Sequence, residues 1–318
     1  MTTVLAASNS LCTTSAVLFL IFNRPDTTAR VFEAIRRARP ARLYVAADGP
    51  RASRAGEAAA CAETRDIITR IDWPCELHTL FRDQNLGCKA AVSGAISWFF
   101  DHEAEGIILE DDCLPSPSFF PYCDALLDKY RDDDRVGQVS GSRFFADEAR
   151  LDGAASYVFS RYGSIWGWAS WRRAWQHYDP DLRDWDRMTR PENLDAAFPD
   201  RRERMAKLAI GKQLKNGSLD TWDYQWGFTK AYQSQLSVVP SHNLIVNIGF
   251  GAEATHTKRH DSKAPQSLGG LSFPLIDPPY FTSHAQYDAV FAKRAYPPDW
   301  HRQARAFLAR IARRLRKD

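Results

Sequence analysis

Residues 106–120 read GIILEDDCLPSPSFF, and the fold of the chain turns on this stretch. Gly-Ile-Ile-Leu has the unbroken apolar character of a strand buried on both faces, as in a parallel sheet. It runs directly into Glu110, Asp111 and Asp112, whose charges repel one another and are costly to bury unpaired. Either the chain surfaces there as a solvated acidic turn, or a positive group belongs among those oxygens. The apolar run before the triple, and the Leu-Pro-Ser-Pro turn into an aromatic helix after it, pin the carboxylates in place. Hard divalent cations such as Mn²⁺ or Mg²⁺ take carboxylate oxygens and keep positions open for phosphate.

Working outward, the same arrangement recurs. Apolar runs at 17–22, 43–47, 76–81 and 107–109 read as buried strands, and helical patterns fill 27–39, 54–71 and 89–102 between them. Strand and helix in strict alternation predict an α/β protein with a mainly parallel, doubly wound sheet. Such sheets bind ligands beyond the carboxyl ends of their strands. Those ends carry Asn23-Arg24-Pro25, Asp48-Gly49, Arg82-Asp83 and the acidic triple. Arg24 either meets a diphosphate through its planar fork or caps the sheet edge. Asp48 either accepts from a base or ribose or makes a plain Asp-Gly turn. Neither a G-x-x-x-x-G-K-[ST] loop nor a G-x-G-x-x-G after the first strand is present, so P-loop and dinucleotide folds are unsupported.

Composition sets the frame. The 318 residues are 44% hydrophobic and 25% charged, enough for one large domain, and a net charge of +3 makes no case for nucleic acid. The charge is uneven, with seven Lys or Arg against one Asp over residues 302–318. Phe307, Leu308, Ile311 and Leu315 recur there at helical spacing, so residues 299–318 are expected to form either a docked terminal helix or a basic amphipathic helix at an anionic inner membrane. Six cysteines without C-x-x-C spacing suggest reduced thiols. The longest apolar run, 16–22, falls far short of the ~20 residues that span a bilayer, and the uncharged polar leader does not read as a signal peptide. A cytoplasmic protein is the expectation, peripheral on the inner face of the membrane if the tail takes the second of those forms.

The second half is less regular and rich in tryptophan. It carries YGSIWGWASWRRAW (162–175), a charged helical stretch around 191–215, SLDTWDYQWGF (218–228) and VVPSHNLIVNIGFG (238–251). Trp166 and Trp168 belong either to a large aromatic core or to a loop, marked by Gly163 and Gly167, that lines a sugar pocket. Asp223 is either a general base or an ordinary helix-face Asp beside core tryptophans. Asp220 shares its face if residues 219–233 are helical. His256 is either structural or a late metal or phosphate contact. Boundaries are expected at 1–14 for the leader, 15–135 and 136–262 for two halves of one domain, and 263–318 for a C-terminal extension.

Together, residues 17–24, 45–49 and 108–120 look like the nucleotide-sugar half of the GT-A glycosyltransferases. EDDCLPSPSFF resembles the Glu-Asp-Asp segment of the N-acetylglucosaminyltransferase I family, which continues with Pro-x-Phe-Phe. TWDYQW resembles that family's Trp-Asp-Asp-Trp segment, and VVPSHNLIVNIGFGAEATH the later stretch that closes a loop over the donor. The whole chain also resembles uncharacterised bacterial glycosyltransferase-like proteins. The resemblance implies a GT-A, or nucleotide-diphospho-sugar transferase, fold with a Trp-rich acceptor half and a UDP-sugar as donor. It also implies a glycan or lipid-linked acceptor hydroxyl. It would put Arg24 on the diphosphate, Asp48 on the uracil or ribose, Asp112 on the metal, Glu110 and Asp111 on the ribose and donor sugar, and Asp223 in the role of base. Adjacent residues at a strand end alternate in direction, so the three carboxylates cannot all ligate one ion. Two rivals remain. A sugar nucleotidylyltransferase would want a Gly-rich, Lys/Arg-bearing loop after the first strand, which Phe22-Asn23-Arg24-Pro25 matches poorly. A non-catalytic carbohydrate-binding protein would keep a degenerate site.

Overall fold

The computed structural model describes residues 12–145, 148–149, 151, 153–249 and 267–296. In chain order the first half runs β1 (Val17–Ile21), α1 (Pro25–Ala38), β2 (Arg42–Ala47), α2 (Glu57–Asp66), β3 (Glu76–Phe81), α3 (Gly87–His102), β4 (Glu105–Glu110), β5 (Cys113–Pro115) and α4 (Phe119–Lys129). Then follow β6 (Val136–Ser140), β7 (Tyr157–Ser160), β8 (Trp168–Trp171), α5 (Arg172–Trp175), α6 (Trp185–Met188), α7 (Pro191–Ala197) and α8 (Arg201–Lys215). The described chain ends with α9 (Asp223–Tyr232), β9 (Leu236–Pro240), β10 (Ile245–Asn247) and α10 (Ala285–Ala295).

Eight strands form one sheet in the order β3-β2-β1-β4-β8-β6-β9-β7. The pairs β3–β2, β2–β1, β1–β4 and β6–β9 are parallel, while β8 is antiparallel to both its neighbours and β7 to β9. The α/β architecture expected from the sequence, a mainly parallel sheet flanked by helices, is therefore the one found. All five residues of β1 are buried because both its faces are covered. Val17, Phe19 and Ile21 pack with Val31, Phe32 and Ile35 of α1, whereas Leu18 and Leu20 pack with Ala95, Ile96 and Phe99 of α3. Phe19 sits in register with Val45 on one side and Leu109 on the other.

From β1 the chain steps outward through β2 and β3, then returns over the opposite face through α3 to lay β4 on the other side of β1. That reversal opens a crevice beyond the carboxyl ends of β1 and β4, the position where open α/β sheets take ligands. Arg24 follows β1, and Glu110, Asp111 and Asp112 close β4.

Several local expectations change. Residues 54–71 form α2 and then a 3₁₀ turn at Ile67–Arg70. The 191–215 stretch splits at Pro199, after which Asp200 caps α8 by accepting from the N–H groups of Arg202 at 2.8 Å and Glu203 at 3.0 Å. Residues 219–222 are not helical, so Asp220 does not share a helix face with Asp223. His256 and residues 299–318 lie outside the described residues. No described helix is long and apolar enough to cross a membrane. All six cysteines are free thiols.

Candidate active site

A cleft of about 530 Å³ opens at the β1/β4 crevice, within the ~300–1,000 Å³ usual for small-molecule sites. Its lining includes Arg24, Asp48, Glu110, Asp111 and Asp112 from the ends of the first strands, together with Trp166, Asp220, Thr221 and Asp223 from the second half of the chain. Eight of the sequence-selected residues, all but Trp168 and His256, thus line one cleft from segments more than a hundred residues apart.

The acidic triple divides its work. Asp112 pairs with Arg24, Oδ2 to the guanidinium at 2.8 Å, while Asp111 stands 3.8 Å from the same group and accepts from the Phe22 N–H at 3.1 Å. Burial first, and Asp112 second, push Asp111 up to about 7 against the pull of Arg24 and that N–H. Glu110 is held well above the usual carboxylate range by burial, then by Asp112, Asp111 and Asp223. Its Oε1 is buried without a hydrogen-bond partner among the described residues. A donor set made only of carboxylate oxygens, one of them orphaned and beside an arginine that a phosphate could share, fits a hard divalent cation. No group of three His, Cys, Asp or Glu converges on one point among the described residues. Such an ion would therefore take one or two protein oxygens and complete its shell from phosphate and water.

The loop after the triple is clamped from the far end of the chain. β10 pairs antiparallel with β5, and the Ile248 N–H donates to the Asp112 carbonyl at 2.8 Å. Gly249 then passes so close that a Cβ there would lie 2.3 Å from Asp112 Oδ2 and 2.8 Å from Arg24. Only glycine fits that approach.

Asp223 opens α9, and the Thr221 hydroxyl donates to its Oδ1. Trp222 and Trp226 turn away from it into the core, where they pack on Trp168 at 5.8 and 5.7 Å between ring centroids. The carboxylate is thus held by a neighbour's hydroxyl at the start of a helix, half-buried, in a residue that lines the cleft.

Three expectations need correction. Asp48 borders the cleft, but its carboxylate accepts from the N–H groups of Gly49, Leu86 and Gly87 and from Asn85 Nδ2, all at 2.9–3.2 Å. With those sites filled it fastens β2 to the start of α3 and has little capacity left for a base or ribose. Asp48→Ala should lower stability by ~1–2 kcal/mol, as loss of a cap does, measured by urea unfolding. Asp220 accepts from the N–H groups of Cys88 at 3.0 Å and Lys89 at 3.2 Å, so it caps α3 from across the cleft. Trp168 is fully buried among Trp175, Trp222 and Trp226 and supports the wall from behind, whereas Trp166, half-buried, reaches the cleft.

Residues not singled out from the sequence also enter. Arg51 binds Glu57 through its N–H at 2.6 Å and its guanidinium, and Asn23 reaches the same carboxylate at 2.9 Å. Arg51 holds Glu57 below the usual carboxylate range. Arg82 lines the cleft, is pulled down by burial, and makes no side-chain hydrogen bond or ion pair among the described residues. The sequence placed Arg82 at a strand end; the fold shows that among the described residues it forms no ion pair, with Asp48 acting on it only through space.

No family model matches the chain, and no curated protein does. Among solved structures it is similar to HddC from Yersinia pseudotuberculosis, at 11% identity over 50% of this chain and 77% of that one, with a TM-score of 0.33. The same protein complexed with GMP-PN gives 11% identity, the same coverages and a TM-score of 0.30. UDP-glucose pyrophosphorylase complexed with UDP-glucose gives 12% identity over 46% of this chain and 62% of that one, with a TM-score of 0.26. These overlaps are partial, and the architecture rests on the strand order and register given above.

Proposed function

We propose that the chain is a metal-dependent, inverting glycosyltransferase that moves a sugar from a nucleoside-diphosphate donor, most simply UDP-linked, to an acceptor hydroxyl on a glycan or lipid-linked saccharide. The observation that carries this reading is the opposition of two carboxylate sites across one cleft. The acidic triple with Arg24 lies at the sheet's switch point, which supports a diphosphate position there, and Asp223 of α9 lines the same cleft.

Arg24 and Arg82 would bind the diphosphate oxygens, and Trp166 would give the donor sugar a flat apolar face. Asp112 would hold Mn²⁺ or Mg²⁺, which supplies charge compensation to the leaving diphosphate when bound. Asp223 takes the proton of the acceptor hydroxyl as that oxygen bonds to the anomeric carbon on the face opposite the breaking bond to the diphosphate. The configuration at that carbon inverts. Thr221 keeps the receiving carboxylate in place.

Arg82→Gln should weaken UDP binding by ~10-fold or more, the worth of a hydrogen bond to a charged group, without altering the fold. Calorimetric titration with UDP and Mn²⁺ checks it. The reading as a whole is tested by incubating the protein and Mn²⁺ with UDP-sugars, and separately with UTP and sugar 1-phosphates. Release of UDP supports sugar transfer or its hydrolytic side reaction. Release of pyrophosphate from UTP would instead make the protein a nucleotidylyltransferase, which needs the same nucleotide cleft.

A further inference from the structure

The cleft continues past Asp223. A second cavity of about 740 Å³ opens behind it, and Ile165, Trp166 and Asp223 border both spaces. Two lysines face this second cavity, Lys207 of α8 and Lys230 of α9, and they are 8% and 5% exposed. Lys230 is satisfied, because its ammonium donates to Ser237 Oγ at 2.7 Å and to Gln138 Oε1. Lys207 is not. Among the described residues its ammonium makes no hydrogen bond and no ion pair. It sits instead among the rings of Phe198, Tyr224, Phe228 and Tyr296, at 5.5–6.0 Å from their centroids.

Aromatic faces soften the burial of a cation but do not replace a counter-ion. Glu203, one turn earlier on α8, accepts from the Tyr162 hydroxyl at 2.8 Å and acts on Lys207 through space without forming an ion pair with it. At the rim Arg161 adds positive charge, with Asp288 3.4 Å from it. The wall therefore offers a mostly buried positive charge with room in front of it, and Asp223 on the side shared with the first cleft.

We propose that this cavity is the acceptor subsite and that it takes a saccharide carrying a carboxylate or phosphate, which pairs with Lys207 while a hydroxyl of the same molecule lies against Asp223. The word acceptor rests on the transfer reading above; the anion preference of the cavity does not. A neutral sugar in the same place would displace water from Lys207 without supplying a partner, and sites with a buried polar group left unpaired reject such ligands strongly. Burial pulls Lys207 down while Glu203 and Asp223 pull it back, so both carboxylates lie within electrostatic reach of the ammonium.

Methyl β-glucuronide and methyl β-glucoside differ only in a carboxylate against a hydroxymethyl group, and glucose 6-phosphate supplies the phosphate. Binding of all three to the full chain is measured by calorimetry, with and without UDP and Mn²⁺. At least one anionic sugar is expected to bind ~10-fold or more tightly than the neutral glycoside, as a charge-assisted contact allows, and the two anionic arms show which group is preferred. Lys207→Met should erase the preference and Lys207→Arg keep it, with circular dichroism and melting confirming the fold of each. Equal binding of charged and neutral sugars by the unaltered protein overturns the proposal, as does a preference that survives in folded Lys207→Met. Displacement of the anionic sugar by UDP would move it to the donor cleft and equally overturn the assignment. An anion preference without any UDP binding would sink the donor reading and leave the subsite standing.

Discussion

Asp223→Asn lowers turnover by ~10²-fold or more while donor affinity stays nearly unchanged, the pattern expected when a general base is lost and binding is not. The amide keeps the volume of the carboxylate and can still accept from Thr221, so the start of α9 should be undisturbed. What disappears is the basicity needed to take a proton as the acceptor oxygen attacks. Steady-state kinetics with a UDP-sugar, paired with UDP titration, separates the two quantities. Asp220→Asn is the matched control. Because Asp220 accepts from two backbone N–H groups at the start of α3, its loss should appear as ~1 kcal/mol of stability and leave turnover largely intact. A collapse of turnover in Asp220→Asn alone would show that the wrong carboxylate has been assigned.

Asp112→Asn removes Mn²⁺-dependent UDP binding, a loss of ~10²-fold or more in affinity, since an amide is a far weaker ligand for a hard cation than a carboxylate. The fold should survive, because Arg24 keeps Asp111 within 3.8 Å and the Ile248–Asp112 backbone bond does not involve the side chain. Stripping the metal from the unaltered protein with a chelator should reproduce the same loss. Calorimetry of UDP with and without Mn²⁺ reads both, and an unchanged metal-dependent affinity in the variant would remove Asp112 from the metal site.

In the parallel half of the sheet β1, β2 and β4 were legible because they are buried on both faces and read as apolar runs. Residues 76–81, expected to be a buried strand, instead form the edge strand β3, and none of them is buried. The tryptophan stretch was not legible. Trp168 and Trp171 look like a loop cluster beside Gly163 and Gly167, yet they sit in β8 and point to opposite faces of the sheet, one into each core. The period of two was too short to stand out in a four-residue strand. Asp48 and Asp220 misled for a different reason. A loop carboxylate looks the same in sequence whether it binds a ligand or caps a helix, and their partners lie 38 and 132 residues away. The acidic triple and Asp223 stood out in the sequence through their neighbours in the chain, whereas Arg82 and Lys207 draw attention only through what the fold places around them.

The position of β8 has a consequence for how the chain is made. β4 is complete at Glu110, but its free edge is covered by Trp168–Trp171, and β8 must then slot between β4 and β6 rather than add to the outside. A ribosome delivering ~5–20 residues each second takes several seconds to cover that interval. For that time the nascent sheet presents an open, apolar strand edge, the feature that recruits other chains. The late clamp of β10 on β5 comes later still. Translation speed through the intervening stretch, and any chaperone that shields that edge, therefore bear on the yield of active protein even where every contact of the finished fold is intact.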